Sequence, residues 1–334
     1  MSDDLLNSIP EAHRQTAREA LAAAFGASPI SSLTPVIGGA SGALTWRADV
    51  KDRPYLLRVE TKRDFFRDPA RGFACMQAAA AAGVAPALVH AEPGVAIMDF
   101  IVQRPLTEHP GGPAGIAREL GELAARLQAT PAFPPLADYL PLLNGMLNHL
   151  LGSGAFAPGL LDRHVAGFEA IRAVYPWEPS SLVSSHNDPN PRNILFDGER
   201  LWLIDWELSF RNDPLVDVAI IANDFAHTPE AEAALLTAWL GRAPDAHLRA
   251  RLVLMRQLTR LFYGCLLAAA AGGASESDLT PMSVDAFRAA YMRGELKVGE
   301  PETMRALRKM VLAAYLDGLS APGFEEALDI VGSV

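Results

Sequence analysis

The texture of this chain changes once, at the Pro/Gly-rich stretch "VQRPLTEHPGGP", and that change limits the folds open to it. Before it, apolar residues alternate over short runs; after it, they recur at helical spacing. The first hundred residues open with "PEAHRQTAREALAAAFG", a helix over residues 10–26 that starts at Pro and stops at Gly. "LTPVIGGASGALTWRADVKDRPYLLRVE" then reads as strands near 33–37, 43–49 and 54–60, joined by a Gly-rich turn and by "KDRP". "DPARGFACMQAAAAAGVAP" predicts a helix over 69–82, and "ALVHAEPGVAIMDFI" adds two strands. A five-stranded antiparallel sheet carrying one helix is the expected assembly. Beyond the linker, helices are predicted near 114–128, 136–151, 158–174, 214–226, 230–241, 246–271, 283–293 and 302–318, interrupted by strand signals in "NILF" and "LWLID". The expected class is α+β: a small antiparallel-sheet N-terminal lobe over residues 1–101 and a larger, mainly helical C-terminal lobe over residues 102–334.

Half of the 334 residues are hydrophobic, enough for a large core. A formal charge of -10 argues against sequence-independent nucleic-acid binding, which needs a basic surface, and suits a cationic small molecule. Cys75 and Cys265 are the only cysteines, in no zinc or CxxC spacing, as in a reduced cytoplasmic protein. The N-terminus "MSDDLLNSIPEAHRQ" is acidic where a signal peptide is basic, and no apolar run reaches the ~18 residues of a membrane span. Neither secretion nor membrane insertion is expected. The histidines have no HExxH-type ligand spacing, and no G-x-S-x-G marks a hydrolase nucleophile.

Chemistry concentrates in "SSHNDPNPRNILFDGERLWLIDWE", residues 184–207. Pro189 and Pro191 deny "DPNPRN" a helix or a central strand, so it forms a loop that displays its side chains. "NILF" and "LWLID" pair across "DGER", and this hairpin brings Asp205 back beside Asp188 and Asn193. Such an oxygen-rich group suits Mg²⁺ shared with phosphates. In the strand at 54–60, Tyr55, Leu57 and Val59 face one way and Leu56, Arg58 and Glu60 the other, so Arg58 points out of the core. Gly38, Gly39 and Gly42 let backbone N–H groups approach phosphates, although "IGGASGALTW" is no Walker P-loop.

His186, Asp188 and Asn193 satisfy H-x-D-x-x-x-x-N, and Asp205 follows in "LIDWE". The chain thereby resembles the aminoglycoside phosphotransferase and choline/ethanolamine kinase family, which has a two-lobed protein-kinase-like fold. The resemblance runs from the Gly-rich turn to "DPLVDVA" and implies an ATP- and Mg²⁺-dependent phosphotransferase. In that scheme Asp188 accepts or orients the substrate hydroxyl proton, His186 braces the loop, and Asn193 and Asp205 hold Mg²⁺. Arg58 meets the donor phosphates, with Lys62 as a fallback, and the backbone of Met98, Asp99 and Phe100 meets adenine. Asp217 is structural, bonded to N–H groups of the catalytic loop.

One departure stands out. The family places a Glu on the following helix as partner of the strand cation, and here the slot is Gly72; Asp64, Asp68 or Glu60 are candidate replacements. Three details resemble choline kinases: "HND" where aminoglycoside enzymes more often read HGD, Glu207 after "IDW", and Asp224 with Phe225 in "DVAIIANDF". They imply a hydroxylated, cationic amino alcohol held by Glu207, Asp224, Phe225 and Tyr263. The rival expectations are an aminoglycoside or other hydroxylated-metabolite phosphotransferase, and a non-catalytic binding module.

Overall fold

A computed structural model describes residues 3–36, 43–271, 275–297 and 299–333. Along the chain run α1 (Glu11–Phe25), β1 (Ile30–Pro35), β2 (Leu44–Val50), β3 (Arg53–Val59), α2 (Pro69–Ala81), β4 (Leu88–Glu92), β5 (Val95–Asp99), α3 (Gly112–Gln128), α4 (Tyr139–Gly152), α5 (Asp162–Val174), β6 (Val183–Ser185), β7 (Ile194–Phe196), β8 (Leu201–Leu203), β9 (Phe210–Asn212), α6 (Leu215–Phe225), α7 (Pro229–Leu240), α8 (Ala246–Ala271), α9 (Val284–Met292), α10 (Pro301–Leu319) and α11 (Gly323–Gly332). They form two compact units. The first comprises Met1–Leu136, Leu182–Asp217 and Asp224–Gly241; the second comprises Ala137–Ser181, Val218–Asn223 and Arg242–Val334. The first unit thus runs across residue 101.

In the first unit the expected five-stranded antiparallel sheet is present, in the order β1-β2-β3-β5-β4. Period-two alternation gives it two faces. Trp46, Ala48, Leu57, Val59, Val95 and Ile97 are buried with Ala17, Ala20 and Leu21 of α1 and with Leu6 and Ile9 before it. Leu56 and Arg58 of β3 fall on the opposite face, with Thr45 of β2 and Met98 of β5. α2 starts where the sequence places it, because Asp68 accepts the Ala70 N–H (3.1 Å) and Pro69 fills the first helical position. α3 lies close along α7 because Gly121 leaves room; a Cβ there would collide with the Leu235 carbonyl.

The second unit is built around α8, against which α4, α5, α10 and α11 pack. Its apolar stripe, including Leu254, Met255, Leu258 and Leu261, is wholly buried. Among the described residues α8 is, by length and composition, apolar enough to cross a membrane over Ala246–Ala269, although no uninterrupted apolar run in it reaches the expected ~18 residues. Arg256 and Arg260 interrupt it in the sequence, and 61% of its most apolar window is buried inside the protein, as in a core helix. Two polar groups are also sealed here. His164 bonds the Leu312 carbonyl (3.2 Å) and stacks on Tyr315, while Arg308 lies over Phe156 and pairs with Glu276 (3.0 Å). α11 was not expected: it is only ten residues long and has glycine, a poor helix former, at both ends.

Candidate active site

The loop between β6 and β7 is shaped by its own prolines and asparagines. Asn190 accepts the Arg192 N–H (2.9 Å), Pro191 starts a single 3₁₀ turn, and Asn193 ends it. The β7–β8 hairpin pairs Ile194 with Leu203 and Phe196 with Leu201, and the Ile204 N–H reaches the Asn193 carbonyl (3.0 Å). This crossing brings Asp205 to the end of the loop. The Asn193 Nδ2 donates to the backbone carbonyl and to Oδ2 of Asp188 (both 2.9 Å), and the Asn190 Nδ2 donates to Asp188 Oδ1 (2.7 Å).

Asp217 sits in the first turn of α6, buried, and accepts the N–H groups of His186 (2.8 Å) and Asn187 (2.7 Å). Burial pushes its carboxyl above the ordinary aspartate value against the pull of His186 and those donors. His186 is fully buried; its Nε2 donates to the Ile204 carbonyl (2.9 Å) and its ring tilts against Trp206 at 4.5 Å. It does not line the cavity beside Asp188.

That cavity, of about 500 Å³, is in the size range of small-molecule sites. Val36, Leu56, Met98, Leu195 and Ile204 give it apolar walls, and Arg58, Asp188, Asn193 and Asp205 converge on it. Arg192, which the sequence reading passed over, also lines it. Asp205 stands in left-handed backbone, φ 69°, an uncommon conformation for a non-glycine residue. Met98, Asp99 and Phe100 line the cavity as well, but two of their donors are engaged: Asp99 N–H bonds the Ala87 carbonyl (2.9 Å) and Phe100 N–H the Pro54 carbonyl (3.3 Å). Ile101, the next lining residue, has an N–H that makes no such bond among the described residues. Gly38, Gly39 and Gly42 lie outside the described residues.

Arg58 is only 15% exposed at its side chain and is ringed by carboxylates. Its Nε meets Glu60 (2.7 Å), and its Nη2 meets both Asp205 (3.1 Å) and Glu207 (2.6 Å). Burial opposes its charge, but Asp205, Glu60 and Glu207 outweigh that and hold it protonated. Of the replacements considered for the family's helix Glu, Glu60 does pair with Arg58. Asp64 instead bonds Arg67, and Asp68 bonds Arg63. Glu207, expected at the substrate, has both oxygens on arginines: Oε1 on Arg58 and Oε2 on Arg67 (2.9 Å). Burial and the neighbouring Asp205 charge push its carboxyl up to about 7, with Arg58 and Arg67 pulling it back.

None of Glu207, Asp224, Phe225 and Tyr263 lines the cavity. Asp224 and Phe225 are half-buried at the end of α6, and Tyr263 belongs to the second unit, where its ring meets Phe262 edge-on. Asn187, used above only as a family marker, has φ 64°. Its buried amide donates to the carbonyls of Leu208 (3.0 Å) and Phe210 (3.1 Å) and accepts from Asn212 (2.6 Å). A position that demands left-handed backbone takes Gly or Asn readily, so "HND" against "HGD" reports conformation and says little about substrate.

The donor set fits a hard cation. With its Nδ2 turned onto Asp188, Asn193 keeps its Oδ1 for a ligand, and Arg58 takes only one oxygen of Asp205. Among the described residues no cluster of three or more His, Cys, Asp or Glu has metal-holding form.

These features define a class: an α+β fold of protein-kinase type, with a carboxylate loop and an arginine set on one cavity. The model of the Phosphotransferase enzyme family matches residues 32–252, and the chain belongs to that family. Protein LicA of Haemophilus influenzae is 40% identical over 66 residues, which are 20% of this chain and 25% of that protein, so the chain spans only a quarter of its length. A choline/ethanolamine kinase family protein from Mesorhizobium loti shares the fold, with TM-score 0.66 and 24% identity over 96% of this chain and 99% of that one. The macrolide 2'-phosphotransferase MphH of Brachybacterium faecium shares it too, with TM-score 0.57 and 20% identity over 79% of this chain and 94% of that one.

Proposed function

We propose that this protein is an ATP- and Mg²⁺-dependent kinase that transfers the γ-phosphoryl group to a hydroxyl of a choline- or ethanolamine-like amino alcohol. The observation that carries the reading is the convergence of Asp188, Asn193, Asp205 and Arg58 on one cavity with apolar walls. An adenine ring would lie between those walls and read the Ile101 N–H. Asn193 Oδ1 and Asp205 would hold Mg²⁺, which when bound neutralises charge on the donor phosphates. Arg58 would place its remaining Nη1 on a phosphate. Asp188, oriented by Asn190 and Asn193, would accept the hydroxyl proton of the acceptor. Catalysis by such a site is mostly positioning and charge stabilisation.

Residues 1–101 would serve the nucleotide and 102–334 the acceptor. The net charge of -10 and the likeness to a choline/ethanolamine kinase family protein support a cationic acceptor, with Asp224, Phe225 and Tyr263 as its candidate contacts. Two buried free thiols agree with a cytoplasmic setting. The likeness to a macrolide phosphotransferase favours a second reading, in which the acceptor is an antibiotic hydroxyl. The deciding assay follows ADP release and phosphorylated product with choline, ethanolamine, thiamine, an aminoglycoside, a macrolide and an uncharged alcohol. Product from choline or ethanolamine is expected. Turnover of the macrolide or aminoglycoside alone selects the second reading, and no turnover of any with ATP overturns the kinase assignment.

A further inference from the structure

Glu207 reaches Arg58 by an unusual route. The helix facing this arginine, α2, packs on the turn Trp206–Leu208 but offers no carboxylate there. At Gly72 a Cβ would already lie 3.5 Å from the Trp206 carbonyl and 3.9 Å from the Glu207 Cα. What α2 contributes is a cation: buried Arg71 donates to the backbone carbonyls of Glu207 (2.8 Å), Ser209 (3.0 Å) and Phe66. The turn is fixed through its main chain, and Glu207 is fixed again through both oxygens by Arg58 and Arg67. The polarity of the helix-to-strand link is reversed, with the donor on the helix and the acid on the turn after Asp205.

We infer that Glu207 is a positioning residue for Arg58, locked by Arg71 and Arg67, and not a contact of the acceptor. Arg58 Nη2 is shared between Glu207 at 2.6 Å and Asp205 at 3.1 Å. Remove the Glu207 charge and the nearest anion left to Nη2 is Asp205. The guanidinium then closes on that carboxylate, which withdraws both the arginine and Asp205 from the donor phosphates. A bidentate arginine–carboxylate pair is strong enough to hold that wrong state. The inference rests on the kinase reading, because it concerns where the donor phosphates bind.

The test is direct binding of ATP by calorimetry, with Mg²⁺ and with EDTA, which needs no acceptor. Glu207→Gln should bind ATP roughly tenfold more weakly than wild type in both buffers, the effect of one lost charge-assisted hydrogen bond. In an Arg58→Ala background the same substitution should change affinity by less than about twofold, because it acts through Arg58. Arg67→Gln, at a more exposed position, should give a loss of about threefold in the same direction, and serves if Glu207→Gln folds poorly. Unchanged affinity in Glu207→Gln overturns the inference. So does a loss that vanishes in EDTA, which would make Glu207 a metal ligand, or a loss that adds in full to that of Arg58→Ala. A raised KM for choline with unchanged ATP affinity would return Glu207 to the acceptor. Failure of the wild type itself to bind ATP would instead overturn the kinase reading, and this inference with it.

Discussion

Around residues 184–217 side chains hold the backbone, whereas in the second unit long helices bond their own backbone and apolar stripes do the packing. In the first region the strands are three residues long, too short to fix a loop by their own ladder. Asn187, Asp217 and Arg71 supply what the ladders lack, bonding main-chain groups of 185–187 and 207–210. The second unit has the 26-residue helix α8 and a core of Leu, Met and Phe. Loops that carry chemistry must avoid regular structure and still be rigid, and buried polar networks provide that rigidity at high cost if one member fails. Substitutions in the two regions should therefore differ in kind as well as size.

The largest effect is expected at the cavity. Asp188→Asn and Asp205→Asn should each lower kcat by roughly three orders of magnitude, with thermal stability nearly unchanged. Asp188→Asn should still bind Mg·ATP, and Asp205→Asn should bind it poorly. Near-normal turnover in either would remove the functional half of the comparison.

Next comes a matched pair. Asp217→Ala strands two buried N–H groups and should cost about 3–5 kcal/mol in denaturant unfolding. Leu258→Ala, in the core of α8, should cost about 2–5 kcal/mol through its cavity. The difference lies in activity: the folded fraction of Leu258→Ala should keep wild-type kcat, while Asp217→Ala should lose it with the loop. Equal retention of kcat in both would break the distinction between a positioning network and a passive core.

A smaller effect separates conformation from bonding at Asn187. Both Asn187→Gly and Asn187→Ala lose the amide bonds, but only Ala also carries a left-handed penalty of roughly 1–2 kcal/mol. Gly should therefore be the milder replacement by about that amount in unfolding free energy. Equal costs would mean that the hydrogen bonds alone select Asn.

The smallest effect belongs to the second unit and is read in pH. Burial lowers the His164 pKa below its ordinary value of 6.5, and its Nδ1 is buried with no partner. Above about pH 6.5 the ring is neutral in both folded and unfolded states; below it the unfolded chain takes up the proton first. Stability is thus fully present above that pH and declines as pH falls toward the depressed folded value. Thermal melts between pH 7.5 and 5 should show that decline in wild type and a weaker one in His164→Gln. Parallel curves would place the acid sensitivity elsewhere.

Much of this was legible before folding. The five strands of the sheet and the helices through α10 follow from spacing and punctuation, because each depends on neighbours within a few positions, whereas the compact units do not divide at residue 102. The meeting of Asp188, Asn193 and Asp205 was legible for the same reason, since a short hairpin joins them. Arg71 was not legible: on a helix of small and apolar residues it reads as a solvated charge, and its partners Glu207 and Ser209 lie more than 130 positions away.

The sequence by itself determined which residue types gather on the loop at 186–205 and which faces of the strands and helices turn inward. Only the tertiary structure decided the partners. Glu207 reads as an acid beside a metal-ligand turn, and becomes the counter-ion of Arg58 because the fold sets β3 and α2 against that turn across 149 positions of chain. Asn187 reads as a family marker, and becomes the hub of the loop because its backbone is left-handed and its amide is sealed among carbonyls. Periodicity records whether a side chain is buried. The identity of what it meets there depends on the register of distant segments, and a charge or an amide has no energy of its own to report until that register brings its partner within about 3 Å.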